Sequence, residues 1–280
     1  MKLRRSVLFM PASNERALEK AKTIPADVLV FDLEDAVAPG AKEAARVLAV
    51  KAANSREYGE KEILIRSNAP GTPWWKEDLK AICQSKADGL VVPKVSDVGD
   101  IMGIQNSMYN AGAPCDMKFW AMIETASACL NIRQIAESGR RLAGFMMGAN
   151  DLTLELHAKR THNRLPIMTG MGMTILAARA NDLCVLDSVY NDFKDITGFE
   201  AECQQAEELG FDGKTLIHPN QVASANSIFS PTQEEILEAK ALINTFAEAQ
   251  DKGQGVATFK GKMIEELHVR EAERLLAFDI

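Results

Sequence analysis

A (β/α)8 barrel is the fold this sequence predicts, and three observations predict it. Eight short apolar runs recur over about 220 residues, most of them followed by a stretch of helical spacing. The runs lack the polar/apolar alternation of a half-solvated strand, as suits parallel strands covered on both faces. Run after run ends abruptly in a polar or charged residue, at the position where a barrel assembles its chemistry. A doubly wound open sheet carries the same alternation and is the runner-up, because closure leaves no mark on the sequence. The 280 residues suffice for one such barrel with an extension.

The first run, Val7–Met10, stops at Pro11 and leads into a helix over Asn14–Lys22. The second, Val28–Phe31, runs into Asp32-Leu33-Glu34-Asp35. Ile63–Ile65 ends in Arg66-Ser67-Asn68 and precedes an amphipathic Lys76–Cys83. Leu90–Val92 ends in Pro93-Lys94, Phe119–Ile123 in Glu124-Thr125, and Phe145–Met147 in Gly148-Ala149-Asn150-Asp151. The seventh run is Val185–Val189, followed by a helix over 199–209 that Gly210 stops. The eighth, Thr215–Ile217, ends in His218-Pro219-Asn220. Ser230-Pro231 marks the boundary between a barrel domain, 1–230, and a helical cap or arm, 231–280. That arm is a long helix over roughly 232–250, a hinge at Gly253-Gln254-Gly255, and a last helix from Ile264 to Ala277.

Composition narrows the function. The net charge of −7 disfavours nucleic acid and anionic membrane surfaces as general partners. Five scattered cysteines without a C-x-x-C pair imply neither a disulfide framework nor a zinc site, and point to the reducing cytoplasm. The apolar stretch before Pro11 is too short for a signal peptide, and nothing approaches a membrane span. Charge is uneven, however. Residues 1–22 hold six basic and two acidic side chains, a local excess of positive charge inside an acidic protein.

Among the strand ends, Glu124 and Asp151 are the most informative. They close neighbouring strands, so their carboxylates can converge, and two carboxylates without histidine or thiolate suit Mg²⁺ before Zn²⁺. The competing reading has Asp151 capping the following helix while Glu124 pairs with a basic residue; spacing alone leaves both open. Arg66 can donate two hydrogen bonds to a carboxylate or a developing enolate, or form a structural salt bridge to Asp32 or Glu34 across the barrel mouth. Asp32, Glu34 and Asp35 crowd one another, which can raise one pKa and make a general base; equally, they can hold Arg66. His218 precedes Pro219 and shapes a turn, while His157, His162 and His268 lack ligand spacing. No Ser-His-Asp arrangement, phosphate loop or dinucleotide fingerprint is present.

Several blocks together carry a family resemblance. Arg5-Ser6-Val7-Leu8-Phe9-Met10-Pro11-Ala12-Ser13-Asn14, Phe31-Asp32-Leu33-Glu34-Asp35-Ala36-Val37, Val92-Pro93-Lys94-Val95 and Met122-Ile123-Glu124-Thr125-Ala126 occur in order. Met147-Gly148-Ala149-Asn150-Asp151-Leu152 and Gly213-Lys214-Thr215-Leu216-Ile217-His218-Pro219 continue the series. The chain resembles the citrate lyase β-subunit-like branch of the HpcH/HpaI aldolase superfamily, nearest to malyl-CoA lyases and (3S)-malyl-CoA thioesterases. The ending Gly261-Lys262-Met263-Ile264-Glu265-Glu266-Leu267-His268 resembles the thioesterases in particular.

That resemblance implies a barrel that binds Mg²⁺ through Glu124 and Asp151, with Arg66 facing an acyl thioester and Gly148 and Asn150 lining the substrate. Glu34 and Asp35 are candidates for proton transfer. The substrates it implies are short β-hydroxyacyl-CoA esters with a free carboxylate. CoA is held by Asn14, Arg16 and Lys20, which gives the basic first segment a purpose. A homo-oligomer, trimer or hexamer, is implied, with the C-terminal arm reaching over the neighbouring active site. Two departures stand out: Pro11-Ala12-Ser13 replaces the usual Pro-Gly-Ser, and Glu265, a further catalytic candidate, stands where many lyases carry an Asp that acts in proton transfer. The second shifts the expectation towards thioester hydrolysis over C–C cleavage. The alternatives are a class II pyruvate-type aldolase on free 2-keto acids and a non-catalytic CoA-ester binding subunit.

Overall fold

The computed structural model describes residues 2–251 and 253–277. Eight parallel strands close a barrel: β1 (Ser6–Pro11), β2 (Val28–Asp32), β3 (Glu62–Arg66), β4 (Gly89–Val92), β5 (Lys118–Ile123), β6 (Leu142–Met147), β7 (Cys184–Asp187) and β8 (Gly213–Leu216). Each strand pairs with the next, and Val7↔Thr215 closes β1 on β8. The missing polar/apolar alternation has its cause here. Every residue of β2, β3, β4 and β8 is buried, one face in the barrel and the other under helices. Val7, Val30, Leu64, Trp120, Met146 and Leu186 fill the interior with bulky apolar layers.

Helices α1 (Glu15–Ala21), α2 (Lys42–Ser55), α3 (Trp75–Cys83), α4 (Val98–Asn110), α5 (Ala126–Ser138), α6 (Ala149–Glu155), α7 (Met168–Ala180), α8 (Ile196–Leu209) and α9 (Val222–Ile228) accompany the strands. Local signals set their ends. The Asn14 side chain caps α1 by accepting from the Ala17 N–H, and Asp97 with Asp100 forms a capping box on α4. Gly210 ends α8 at φ +99°, a conformation that glycine adopts without strain.

Several strands extend beyond their apolar runs, β6 most of all, starting at Leu142 rather than Phe145, and two differ in ways that bear on the site. β7 ends at Asp187 rather than Val189, and β8 begins at Gly213, taking in the fully buried Lys214. A charged residue inside a strand masks it in a hydrophobicity reading. Lys214 Nζ is satisfied by Asp187 Oδ2 at 2.6 Å and Glu202 Oε1 at 2.7 Å, and Arg164 Nη1 completes the group at 2.7 Å from Asp187.

The described chain divides into two compact units, Arg4–Ser227 with the barrel, and 228–251 and 253–277 with Lys2 and Leu3. The second unit holds α10 (Gln233–Gln250), opened by the Thr232–Glu235 capping box, and α11 (Glu266–Leu276) packed against it. Between them lies an antiparallel hairpin, β9 (Ala257–Phe259) with β10 (Lys262–Ile264), turning at Lys260-Gly261. The last helix therefore starts at Glu266 rather than Ile264, because Ile264 pairs with Ala257 across the hairpin. Among the described residues no helix is long and apolar enough to cross a membrane.

Candidate active site

The C-terminal mouth of the barrel opens into a cavity of ≈ 380 Å³. Arg66 from β3, Asp32 at the end of β2, Asp35 after it, Glu124 after β5, and Asp151 after β6 all line it. Strand ends distant in sequence thus meet in one space.

Arg66 is gripped as a fork. Its Nε lies 2.6 Å from Asp32 Oδ1 and its Nη2 2.7 Å from Asp32 Oδ2, a bidentate pair with both residues buried. Asp32 is itself fixed by accepting from the Glu34 and Ala36 N–H groups at 2.9 and 3.0 Å. Arg66 Nη1 lies 2.9 Å from Glu34 and 3.6 Å from Asp35, and the guanidinium stacks 5.1 Å over Phe9. Burial works against the guanidinium charge, but Asp32, Glu34 and Asp35 more than offset it and hold the proton firmly. The salt bridge from Arg66 to Asp32 and Glu34 is therefore present, Nη1 also donates to Met122 Sδ at 3.8 Å, and the residue still lines the cavity. Burial pushes Glu34 up to about 8; Arg66 pulls the other way, and Asp35, Glu124 and Asp32 reinforce the rise.

Glu124, buried at 2 % exposure, accepts the Lys94 backbone N–H at 2.7 Å. Lys94 adopts φ +58°, a left-handed conformation uncommon for a side chain of this type. It sets that N–H on one carboxylate while the ammonium reaches two: Nζ lies 3.7 Å from Glu124 Oε1 and is hydrogen-bonded to Asp151. Burial disfavours the Lys94 charge, yet the bond to Asp151 and the charges of Glu124, Asp151 and Glu34 raise its pKa. Burial also raises the Glu124 pKa, partly countered by Lys94. Asp151 lies within the first turn of α6, and its side chain does not cap the helix; the N-cap residue is Gly148. Gly148 packs so closely that a Cβ there would come 2.5 Å from Glu124 Oε2.

These residues fit a hard divalent cation. The donors are all oxygen, and a cationic group, the Lys94 ammonium, already stands between the two carboxylates. Among the described residues no group of three or more His, Cys, Asp or Glu side chains forms a metal centre. Two carboxylates agree with Mg²⁺, which takes few protein ligands and leaves positions for water and substrate oxygens.

The other sequence candidates fall at different distances from this centre. Gly148 and Asn150 line the cavity, and Asn150 bonds reciprocally with Asn191. Asn14 caps α1 beside the rim; Lys20 is exposed on the same helix; Arg16 lines a separate surface cavity between α1 and α2. Glu265 lies in the second unit, where its N–H donates to His268 Nδ1 at 3.2 Å. His218 shapes its turn by accepting the Asn220 N–H at 3.2 Å, and it stacks on Phe193. Ser67 and Asn68 are structural, Asn68 being held by the buried Asp78 at 2.6 Å. Lys94 is the residue at this centre that strand-end position alone does not single out. Its signal was present, a lysine closing an apolar strand, but its reach to two carboxylates depends on backbone conformation. Asn191 lies four residues past the end of β7, in a loop where the sequence carries no strand-end signal.

A family model described as HpcH/HpaI aldolase/citrate lyase matches residues 5–219. The chain is 45% identical over 273 residues to a (3S)-malyl-CoA thioesterase of Cereibacter sphaeroides, covering 98% of this chain and 93% of that one. It is 32% identical over 280 residues to the citrate lyase subunit beta of Leuconostoc mesenteroides subsp. cremoris, covering 98% and 93% of the two chains. Among solved structures, CitE from Mycobacterium tuberculosis in complex with magnesium, acetoacetate and coenzyme A matches with a TM-score of 0.79 and 26% identity, covering 97% of this chain and 96% of that one.

Proposed function

The chain belongs to the HpcH/HpaI aldolase/citrate lyase family, and from that premise we propose that it is a Mg²⁺-dependent enzyme hydrolysing short β-hydroxyacyl-CoA thioesters of the malyl-CoA type. The observation that carries this reading is one cavity with a clamped guanidinium on one wall and two converging carboxylates on the other. The 45% identity to a (3S)-malyl-CoA thioesterase favours hydrolysis within the family.

Glu124 and Asp151 would hold the cation, which would supply Lewis-acid polarisation of substrate oxygens. Arg66 keeps its plane through Asp32 and offers its remaining Nη2 N–H to the thioester carbonyl oxygen. One oriented donor at such an oxygen is worth ~3 kcal/mol in the transition state. A water adds to the thioester carbon as a carboxylate takes its proton; the C–S bond then breaks, and that proton passes to the CoA sulfur. Glu34 is suited to this exchange, since it touches Arg66 and its pKa of about 8 lets it both hold and release a proton near neutrality. Asp35 lines the cavity beside it. The CoA arm leaves over the β1–α1 rim, where Asn14, Arg16 and Lys20 meet its anionic groups. Residues 231–280 serve as an arm that brings Glu265 to a neighbouring subunit in a trimer or hexamer.

C–C cleavage is the second reading, favoured by the citrate lyase subunit beta relative that matches nearly the whole chain. Incubation with malyl-CoA, Mg²⁺ and a thiol reagent, with parallel detection of glyoxylate, separates the two. Free CoA without glyoxylate supports hydrolysis; glyoxylate without free CoA overturns it in favour of cleavage. Neither product, despite binding, points to a CoA-ester binding subunit.

A further inference from the structure

A second cavity, of ≈ 260 Å³, adjoins the first. Ala149, Asn150, Val189 and Asn191 line both. The wall between them is an amide pair: Asn150 Nδ2 donates to Asn191 Oδ1 at 3.2 Å, and Asn191 Nδ2 donates back to Asn150 Oδ1 at 2.7 Å. Such a pair is exposed, has no third partner among the described residues, and can part at the cost of two surface hydrogen bonds.

The charges of the second cavity are unequal in their commitments. Arg164 and Glu202 line it but are bound into the buried group with Asp187 and Lys214. Lys159 and Arg160 line its outer side, both exposed, and among the described residues neither has an ion-pair partner. Asp192 is the one other acidic side chain lining the cavity. Two free cations thus face a pocket that shares a wall with the substrate cavity.

Barrel order says which part of a ligand comes this way. Arg66 ends β3, Glu124 ends β5, Asp151 follows β6, and the second cavity lies beyond, between the β6 and β7 ends. A thioester at Arg66 with its hydroxyl and carboxylate at Glu124 and Asp151 points its distal substituents past Asn150 and away from the β1–α1 rim. We infer that the second cavity is a carboxylate subsite, in which Lys159 and Arg160 take an additional carboxylate on a branched or longer acyl group. This deepens the proposed function and rests on it.

The test compares succinate with tricarballylate, which differ by one carboxymethyl branch and chelate Mg²⁺ weakly. Calorimetric titration at fixed free Mg²⁺ is expected to show tricarballylate binding about tenfold tighter than succinate. In Lys159→Ala/Arg160→Ala, two exposed positions, the advantage should shrink to within about twofold while succinate affinity is unchanged. An equal affinity for both acids in the wild type, or an advantage that survives the double substitution, overturns the subsite. Glu124→Ala supplies the separate check: it should weaken both acids alike, and if it weakens neither, the reading of the main cavity falls instead.

Discussion

Replacing Lys94 with methionine removes the ammonium that stands between Glu124 and Asp151 and keeps an unbranched side chain only one atom shorter. A unit charge pair at the 3.7 Å that separates Nζ from Glu124 Oε1 is worth about 4.5 kcal/mol at an effective dielectric of about 20. The Lys94 side chain is 39% exposed, so solvent screening brings the realised figure down to ~1–2 kcal/mol. Any divalent cation that binds the two carboxylates must first displace that ammonium. Lys94→Met should therefore bind Mg²⁺ about 5–30-fold tighter than the wild type, by titration calorimetry in chelator-treated protein. The metal-free form should move the opposite way. Glu124, almost fully buried, and Asp151 lose their counter-charge, so the melting temperature in EDTA should fall by ~2–8 °C. The backbone N–H bond from residue 94 to Glu124 survives the change, which keeps the ligand in place. Lys94→Arg, which restores a cation, should return both quantities towards wild type. Unchanged or weaker Mg²⁺ binding in Lys94→Met refutes the reasoning, since the ammonium would then be a support for the site rather than its competitor.

Arg66→Lys keeps the charge and loses the fork on Asp32, so kcat should fall by about 10²–10³ with a modest loss of stability, whereas Arg66→Ala should also destabilise by ~3–5 kcal/mol through the stranded Asp32; an activity loss that only tracks the unfolded fraction argues for a purely structural arginine. Glu34 has its folded pKa raised from 4.5 to about 8, so its contribution to stability is full below the lower value, declines as pH rises, and is gone above the higher one. Melting curves of wild type and Glu34→Gln in metal-free buffer should therefore converge or cross with rising pH in that window, and a constant difference refutes the shift. Gly148→Ala places a Cβ within 2.5 Å of Glu124 Oε2 and should weaken Mg²⁺ binding more than tenfold while costing ~1–3 kcal/mol in stability; a normal metal affinity there disconnects Glu124 from the metal.

The barrel was legible because burial on both faces leaves short apolar runs, and eight of them can be seen without knowing what they touch. Where reading failed, a charge sat inside a strand. Lys214 belongs to β8 only because Asp187 and Glu202 lie within 2.7 Å of it, and compensation across three elements leaves no local pattern. The hairpin of β9 and β10 was missed for a related reason: three-residue strands are too short for any period to show. At the site, strand-end position picked out Arg66, Glu124 and Asp151, all of which line the cavity. It could not show Lys94 standing between two of them, because that contact depends on a left-handed backbone angle.

The basic opening segment shows how far charge counting carries. Of its side chains, Arg4 pairs with Glu62 at 2.7 Å and Arg5 with Asp27 at 2.8 Å, both at the N-terminal end of the barrel, opposite the mouth. Lys22 pairs with Glu19 and Glu57 at the far end of α1. Half of the six basic residues of this segment therefore fasten the closed end of the barrel to acids from elsewhere in the chain. A surplus of positive charge in a stretch of sequence is thus a statement about where its partners lie in the fold, as much as about ligands. An anion on α1 must be drawn by Arg16 and Lys20, which remain exposed, and not by the segment's net charge. The CoA arm is accordingly expected to be sensitive to Arg16→Ala and Lys20→Ala in KM for the thioester, and insensitive to charge removal at Lys22. A KM that responds to Lys22→Ala as strongly as to Lys20→Ala would return the explanation to bulk charge.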